Sequence, residues 1–295
     1  MTSIGFIGLG NMGAPMAGNL VAAGLDVTGH DVAERARTTA RAKGLDIADS
    51  ATEAAADRDI VITMLPDGAV LLEVYRTIVA EVRAGTILMD CSTVDIDSAR
   101  QAHDLAAERN LPSVDAPVSG GIAGAEAGTL TFMAGGDPPA CEAVRPLLDI
   151  MGRTIVRCGG PGCGQAVKIC NNMILGISMI GVCEALTLAR KLELEPERVF
   201  DVVSTSSGSC WSMNSYCPLP GVGPESPADH GYAPGFAAAL MLKDLGLSQQ
   251  AAASANVATP MGAMAASVYE AMVASGSGHL DFSAVIRHVR SLARE

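Results

Sequence analysis

The chain has no surplus of basic charge. Twenty Lys and Arg stand against 32 Asp and Glu, a formal net charge of −12. That balance argues against a nucleic-acid partner, which needs a basic face. It leaves a small anionic substrate open, because one local cation can hold it. A basic, signal-like start and a cleavage region are also missing, so a transit or export peptide is not expected and a cytoplasmic location is. The longest apolar run of the most hydrophobic segment, Met173 to Cys183, is shorter than the ~20 residues of a membrane span. No membrane association is expected. None of the eight cysteines forms a Cys-x-x-Cys pair, and the five histidines lack helical ligand spacing. A metal site is therefore not expected, and the thiols read as reduced, buried, small hydrophobes. Without a Gly-x-Ser-x-Gly elbow, Ser-His-Asp hydrolysis has no support. There is no internal repeat.

What is present points elsewhere. The 295 residues suffice for two domains, and 49% hydrophobic against 18% charged content implies a large buried core rather than disorder. Near the start, an apolar run with Ile4, Phe6 and Ile7 breaks into Gly8-x-Gly10-x-x-Gly13. Gly8 permits a tight strand-to-helix turn. Gly10 lets a pyrophosphate approach the backbone, and Gly13 allows close packing of a helix whose N-terminus faces the phosphates. Residues 12–23 are helix-compatible, Gly24 is a stop, and Val27 to His30 make a second strand ending at Asp31. That acid is spaced for the adenosine ribose hydroxyls, so the segment predicts a dinucleotide cofactor.

Further apolar β-type runs occur at 60–64, 86–90, 112–115, 129–133 and 154–157, with helical stretches at 33–43, 50–57, 95–109 and 138–150. The alternation predicts a doubly wound, mostly parallel α/β sheet buried on both faces. The turn signal Gly159-Gly160-Pro161-Gly162 ends this pattern. Beyond it, residues 165–190 predict one helix about 39 Å long, apolar all round through Ile169, Met173, Ile174, Ile177, Ile180, Val182, Leu186 and Leu188. Such a helix is expected to be buried on several sides, against a second domain and a partner subunit. A homodimer or homotetramer follows as the expectation. Helices at 196–205, 236–255, 260–274 and 282–293 flank a Ser-, Gly- and Pro-rich loop at 206–235. The expected division is 1–164, a Rossmann domain, and 165–295, an all-helical domain.

Ligands of doubly wound sheets bind beyond the carboxyl ends of the strands. Leu65-Pro66, Cys91-Ser92-Thr93 and Pro117 to Gly121 fall there. Leu65 and Pro66 would pass the adenosine and ribose side, and Thr93 could hydrogen-bond the nicotinamide end, although each reads equally well as an ordinary strand-end loop. Ser119-Gly120-Gly121 offers successive backbone N–H groups for a carboxylate or phosphate, the plainer alternative being a flexible turn. Lys168 opens the long helix in Gln165-Ala-Val-Lys168-Ile-Cys-Asn171-Asn172, four residues from Asn172 and on its face. A cation there opposes the helix dipole, which points to a functional role, although a surface lysine reads equally well. Lys243, in Phe236-x-x-x-Leu240-x-x-Lys243-Asp244, reads from spacing alone as an exposed lysine beside an exposed acid.

Together these motifs make the chain resemble the β-hydroxyacid dehydrogenases over essentially its whole length. The carriers are Gly5 to Gly13, Asp115-Ala-Pro-Val-Ser-Gly-Gly through Leu130, Gly164 to Asn172 and Leu242-Lys-Asp-Leu245; Ser206 to Ser212 with Tyr216 to Gly221 look like the 3-hydroxyisobutyrate branch. The resemblance implies a Rossmann domain and an all-α domain joined by the long helix, with the active site between them. It implies NAD held by Gly8, Gly10, Asn11, Met12, Gly13, Asp31, Leu65, Pro66, Thr93 and Lys243. A small hydroxyacid substrate would be held by Ser119, Gly120, Gly121, Phe236 and Lys243, with Lys168 catalytic and Asn172 assisting. Val70 departs from the family, standing where relatives often carry a cofactor-contacting Asn. A semialdehyde or imine reductase of the same family, and a non-catalytic NAD-binding protein, are the alternatives.

Overall fold

The computed structural model describes residues 2–292. The chain forms two compact units that divide after Lys168. The first contains β1 (Ser3–Ile7), α1 (Gly13–Ala22), β2 (Asp26–His30), α2 (Glu34–Ala42), β3 (Asp46–Ile47), α3 (Ala51–Ala55), β4 (Ile60–Thr63) and α4 (Gly68–Ile78). It continues with β5 (Ile87–Asp90), α5 (Ile96–Ala107), β6 (Ser113–Asp115), β7 (Val118–Ser119), α6 (Gly121–Glu126), β8 (Leu130–Gly136), α7 (Pro138–Met151) and β9 (Gly152–Gly159).

One sheet in the order β3-β2-β1-β4-β5-β6-β8-β7 organises this unit, with β9 also paired to β8. Strands β1 to β6 pair in parallel, whereas β8 is antiparallel to β6 and β7. This is the mostly parallel, doubly wound sheet the sequence predicts. Period-two alternation sends successive side chains to opposite faces. Ile4, Phe6, Ile60, Ile62 and Met89 enter one core, under α1 and α7. Ile7, Val61 and Leu88 enter the other, with Leu71 and Tyr75 of α4 and Ala99 of α5. Each large apolar side chain fully buried this way is worth roughly 1.5–3 kcal/mol. The chain reverses its order between β1 and β4, so a crevice opens at the carboxyl ends of those strands.

Helix α4 is an addition to the predicted elements. Its β-branched and aromatic content masks it, but Leu71, Tyr75 and Ile78 recur at helical spacing and are buried, and Asp67 caps it by accepting the Val70 N–H at 2.9 Å. The short elements β3, β7 and α6 were likewise below the reach of periodicity.

In the second unit the all-α expectation is met. Helix α8 (Cys163–Lys191) runs on through the division. It is followed by α9 (Pro196–Val203), α10 (Trp211–Asn214), α11 (Ala238–Ser254), α12 (Pro260–Met272) and α13 (Val285–Leu292). Met179, Cys183 and Leu186 of α8 share a core with Met241 and Leu245 of α11, Tyr269 of α12 and Ile286 of α13. Several predicted features need correction. The thiols are not all buried: Cys170 is exposed and Cys158, Cys163 and Cys210 are half-buried. The 206–235 loop contains α10 and a 3-10 turn at Pro227–His230, and the last predicted helix divides into a 3-10 turn, Phe282–Ala284, and α13. Position 293 lies outside the described residues. Helix α8 is also not buried all round within this chain: Ile174 and Leu188 are 64% and 60% exposed. Although the run from Met173 to Cys183 is short, the whole helix is long and apolar enough to cross a membrane by length and composition alone. Half of its most apolar window is buried inside the protein, as in the core helix of a globular protein.

Candidate active site

The glycine loop follows directly from β1. The Gly8 N–H donates to the His30 carbonyl at 2.8 Å, tying the turn to β2. Gly8 has φ +97°, and a Cβ there would lie 2.2 Å from the Met64 carbonyl oxygen. A Cβ at Gly13 would lie 1.9 Å from the Gly8 carbonyl oxygen. At Gly10, by contrast, a Cβ would meet nothing within 4 Å. Gly10 and Asn11 are exposed and Met12 half-buried. Helix α1 begins with no side-chain cap and no acid in its first turn. Its N-terminal N–H groups and positive dipole end are thus left for an anion. A pyrophosphate fits this open cradle: two glycines are dictated by the fold and the third is not.

Asp31 closes the loop from the other side. One carboxylate oxygen accepts the Leu9 N–H at 2.8 Å and the other accepts the Ala33 N–H at 2.8 Å. The acid therefore also fixes the glycine loop against the end of β2, a duty that spacing alone did not reveal.

The next two strand-end loops are tied to each other. Ser92 Oγ accepts the Leu65 N–H at 2.7 Å and donates to Asp90 Oδ1 at 2.5 Å, which also accepts from Thr63 Oγ at 2.7 Å. Asp90 is wholly buried, and its Oδ2 has no hydrogen-bond partner. Burial pushes its carboxyl up to about 6, against the Ser92 and Thr63 hydrogen bonds that favour the carboxylate. Leu65 and Thr93 are half-buried and Pro66 exposed.

Ser119 ends β7, paired with Thr131 of β8. Both β6 and β7 run antiparallel to β8, so β7 points the same way as the parallel strands. The Ser119-Gly120-Gly121 turn therefore leaves β7 at its carboxyl end. Gly120 and Gly121 have φ of +138° and +63° and lead into α6. Positive φ at both positions is what glycine permits.

Lys168 is 7% exposed and closes the first unit, in the second turn of α8. The surface-lysine reading is set aside by that burial. The sheet holds the start of its helix. Asp115, at the end of β6, accepts the Gly162 N–H at 2.8 Å on one oxygen and the Gln165 N–H at 3.0 Å on the other. His103 Nε2 meets the same carboxylate at 3.0 Å, and Ser113 Oγ meets His103 Nδ1 at 2.6 Å. A carboxylate on the N-terminal N–H groups of α8 satisfies donors that the helix cannot and favours the dipole. Gly164 and Gly135 permit this approach, since a Cβ on either would lie within 2.8 Å of an Asp115 oxygen. Sequence reading passed over Asp115, His103 and Gln165, because their partners are 50 or more residues away or on other elements.

The second unit gathers its own group. Asn172, one helical turn beyond Lys168 on the uninterrupted α8, is 2% exposed. Its Nδ2 donates to Asp244 Oδ2 at 2.5 Å and its Oδ1 accepts from Asn171 Nδ2 at 2.9 Å. Lys243 Nζ lies 3.6 Å from Asp244 Oδ1. Asp244 is 3% exposed, which corrects the expectation of an exposed Lys-Asp pair. Phe236, two residues before α11, donates its N–H to Asp281 Oδ2 at 3.1 Å and packs edge-on against Phe282 at 5.8 Å. Within this unit Asn172, Lys243 and Asp244 are brought together, and Phe236 is held separately by Asp281.

A strand order of β3-β2-β1-β4-β5, with a glycine cradle at the switch point, defines a dinucleotide-binding Rossmann domain. Residues 3–160 match the family described as the NAD-binding domain of 6-phosphogluconate dehydrogenase, and residues 162–289 match the NAD-binding family of NADP-dependent 3-hydroxyisobutyrate dehydrogenase. A solved structure of Mycobacterium tuberculosis 3-hydroxyisobutyrate dehydrogenase with L-serine is 47% identical, with a TM-score of 0.94 over 98% of this chain and 99% of that one. The NAD-dependent L-serine dehydrogenase of Pseudomonas aeruginosa is 45% identical over 97% of each chain. The mitochondrial 3-hydroxyisobutyrate dehydrogenase of Mus musculus is 40% identical over 98% of this chain and 87% of its own length. The chain belongs to the 3-hydroxyisobutyrate dehydrogenase family of nicotinamide-dependent oxidoreductases.

Proposed function

We propose that this protein catalyses the reversible NAD-dependent oxidation of 3-hydroxyisobutyrate to methylmalonate semialdehyde, a step of valine breakdown. The observation that carries the reading is a buried lysine, Lys168, on a helix start anchored to the carboxyl end of β6, one turn from the buried amide of Asn172. A non-catalytic NAD-binding protein has no use for a buried amine so placed. Gly8 to Gly13 would hold the pyrophosphate, Asp31 the adenosine ribose, and Leu65, Pro66 and Thr93 the rest of the cofactor. When bound, NAD supplies the hydride acceptor. Oxidation of the alcohol requires its hydroxyl proton to leave. Neutral Lys168 takes that proton, and the resulting ammonium returns it to the carbonyl oxygen in the reverse direction. Asn172 orients the same oxygen. Ser119, Gly120 and Gly121 hold the substrate carboxylate through backbone N–H groups. Lys243 and Phe236 serve the same substrate.

Asp31 favours NAD over NADP in this reading, because a carboxylate at the ribose repels a 2′-phosphate. The eight free thiols support a cytoplasmic location. Exposed Ile174 and Leu188 on α8 support a homodimer or homotetramer. A second substrate, L-serine, is favoured by the names of the relatives above; it too is a 3-hydroxy acid. The deciding experiment is spectrophotometric NADH formation with 3-hydroxyisobutyrate, L-serine and 3-hydroxypropionate, and NADPH or NADH consumption with succinic semialdehyde and a cyclic imine. The reading expects the highest kcat/KM with 3-hydroxyisobutyrate. Turnover of an imine alone, or of no hydroxyacid, contradicts it.

A further inference from the structure

We propose that Gln165 is a positioning residue that couples the Ser92–Val94 loop to the helix turn carrying Lys168. Its side chain is wholly buried. The amide Nε2 donates to the Ser92 carbonyl at 2.8 Å, and the amide Oε1 accepts the Val94 N–H at 3.1 Å. One side chain thus holds the backbone of the residues on either side of Thr93. Gln165 also lies three positions before Lys168 on α8, so the two are neighbours on the helix surface.

Anchoring the helix is not what this amide is needed for. Asp115 already takes the Gly162 and Gln165 N–H groups, so the start of α8 is fixed through the backbone. What the Gln165 side chain adds is register between the helix and the loop. The proposal rests on the reading that Lys168 manages the substrate proton and that Thr93 faces the nicotinamide end. Given that reading, the two reacting partners are aligned partly through one buried amide. Misplacement by about 1 Å is enough to lower turnover by roughly a hundredfold.

The test compares Gln165→Met and Gln165→Glu with the wild-type enzyme, using 3-hydroxyisobutyrate, its C3-deuterated form and NAD. Gln165→Met retains shape and loses both side-chain hydrogen bonds. It is expected to lower kcat by about ten- to a hundredfold, with the NAD dissociation constant within about threefold of wild type. The deuterium isotope effect on kcat should rise as hydride transfer becomes limiting. Gln165→Glu supplies rescue: protonated, it again has one donor and one acceptor, whereas the carboxylate only accepts. Its rate of semialdehyde reduction relative to wild type should therefore climb as pH falls.

A kcat for Gln165→Met within about threefold of wild type, with an unchanged isotope effect, overturns the proposal. So does a loss of NAD affinity as large as the loss of kcat. If Gln165→Met does not fold, Gln165→Glu decides alone, and a rate ratio independent of pH counts against the coupling. The parallel variant Lys168→Ala separates the two layers. Near-normal turnover there removes the underlying reading; severe loss there beside normal Gln165 variants removes only the coupling.

Discussion

A methyl group added at Gly10 would meet nothing, whereas at Gly13 it would sit 1.9 Å from a backbone oxygen. The two glycines of one loop thus answer to different demands, Gly13 to the fold and Gly10, in our reading, to a ligand. Gly13→Ala is expected to cost more than ~2 kcal/mol, because backbone on both sides must shift. Gly10→Ala should leave Tm unchanged and weaken NAD about tenfold or more, a loss of at least ~1.4 kcal/mol. Thermal melts with NAD titrations check both, and a Gly10→Ala variant binding NAD normally would remove the pyrophosphate from this loop. Asp31 carries two duties, holding the Leu9 and Ala33 N–H groups and facing the ribose in our reading. Asp31→Ala should raise the Kd for NAD and narrow the preference for NAD over NADP. Equal kcat/KM for both cofactors in the wild-type enzyme would show that the carboxylate does not face the ribose.

Among the elements, β5 and its following loop respond to pH in a direction that can be worked out. The Asp90 carboxyl, pushed up to about 6 by burial, holds its proton more tightly folded than unfolded, where it titrates near ~3.9. The stability this provides is present below about pH 4, declines between about 4 and 6, and is absent above. Asp90→Asn keeps the shape without the titration. Denaturant unfolding from pH 4 to 7 should show the variant gaining on wild type by on the order of 2–3 kcal/mol as pH rises; a constant difference would contradict the buried charge. Elements of this kind were legible in unequal measure. The long strands and helices declared themselves, β1 and β4 through runs of Ile and Val and α11 through its spacing. Helix α4 did not, since Val, Leu and Tyr in close order satisfy a strand pattern as well as a helical one. The glycine cradle was legible because Gly8 and Gly13 answer local steric needs and Gly10 completes their spacing. Asp115, Gln165 and Asp244 were not, because their roles come from partners on other elements, and a sequence pattern holds only local distances. Asp244 in particular reads as an ordinary surface acid until α8 brings Asn172 within 2.5 Å.

For the whole molecule, an acidic chain with a large apolar core still exposes large apolar residues on several elements, Ile174 and Leu188 of α8 among them. Ile174 and Leu188 would be covered in the homodimer or homotetramer we propose. Sedimentation velocity at micromolar concentration should show no monomer; a single species of about 30 kDa would refute the assembly. In our reading, function at this scale rests on a protein-supplied base, Lys168, on a helix whose start is tied to the carboxyl end of β6. General acid–base groups are worth roughly 10²–10⁴ in rate, and cofactor affinity should be indifferent to their loss. The most direct measurement is kcat for 3-hydroxyisobutyrate oxidation by Lys168→Ala, alongside its Kd for NAD. The account predicts a fall of about a hundredfold or more with the Kd unchanged. Turnover near the wild-type rate would contradict it.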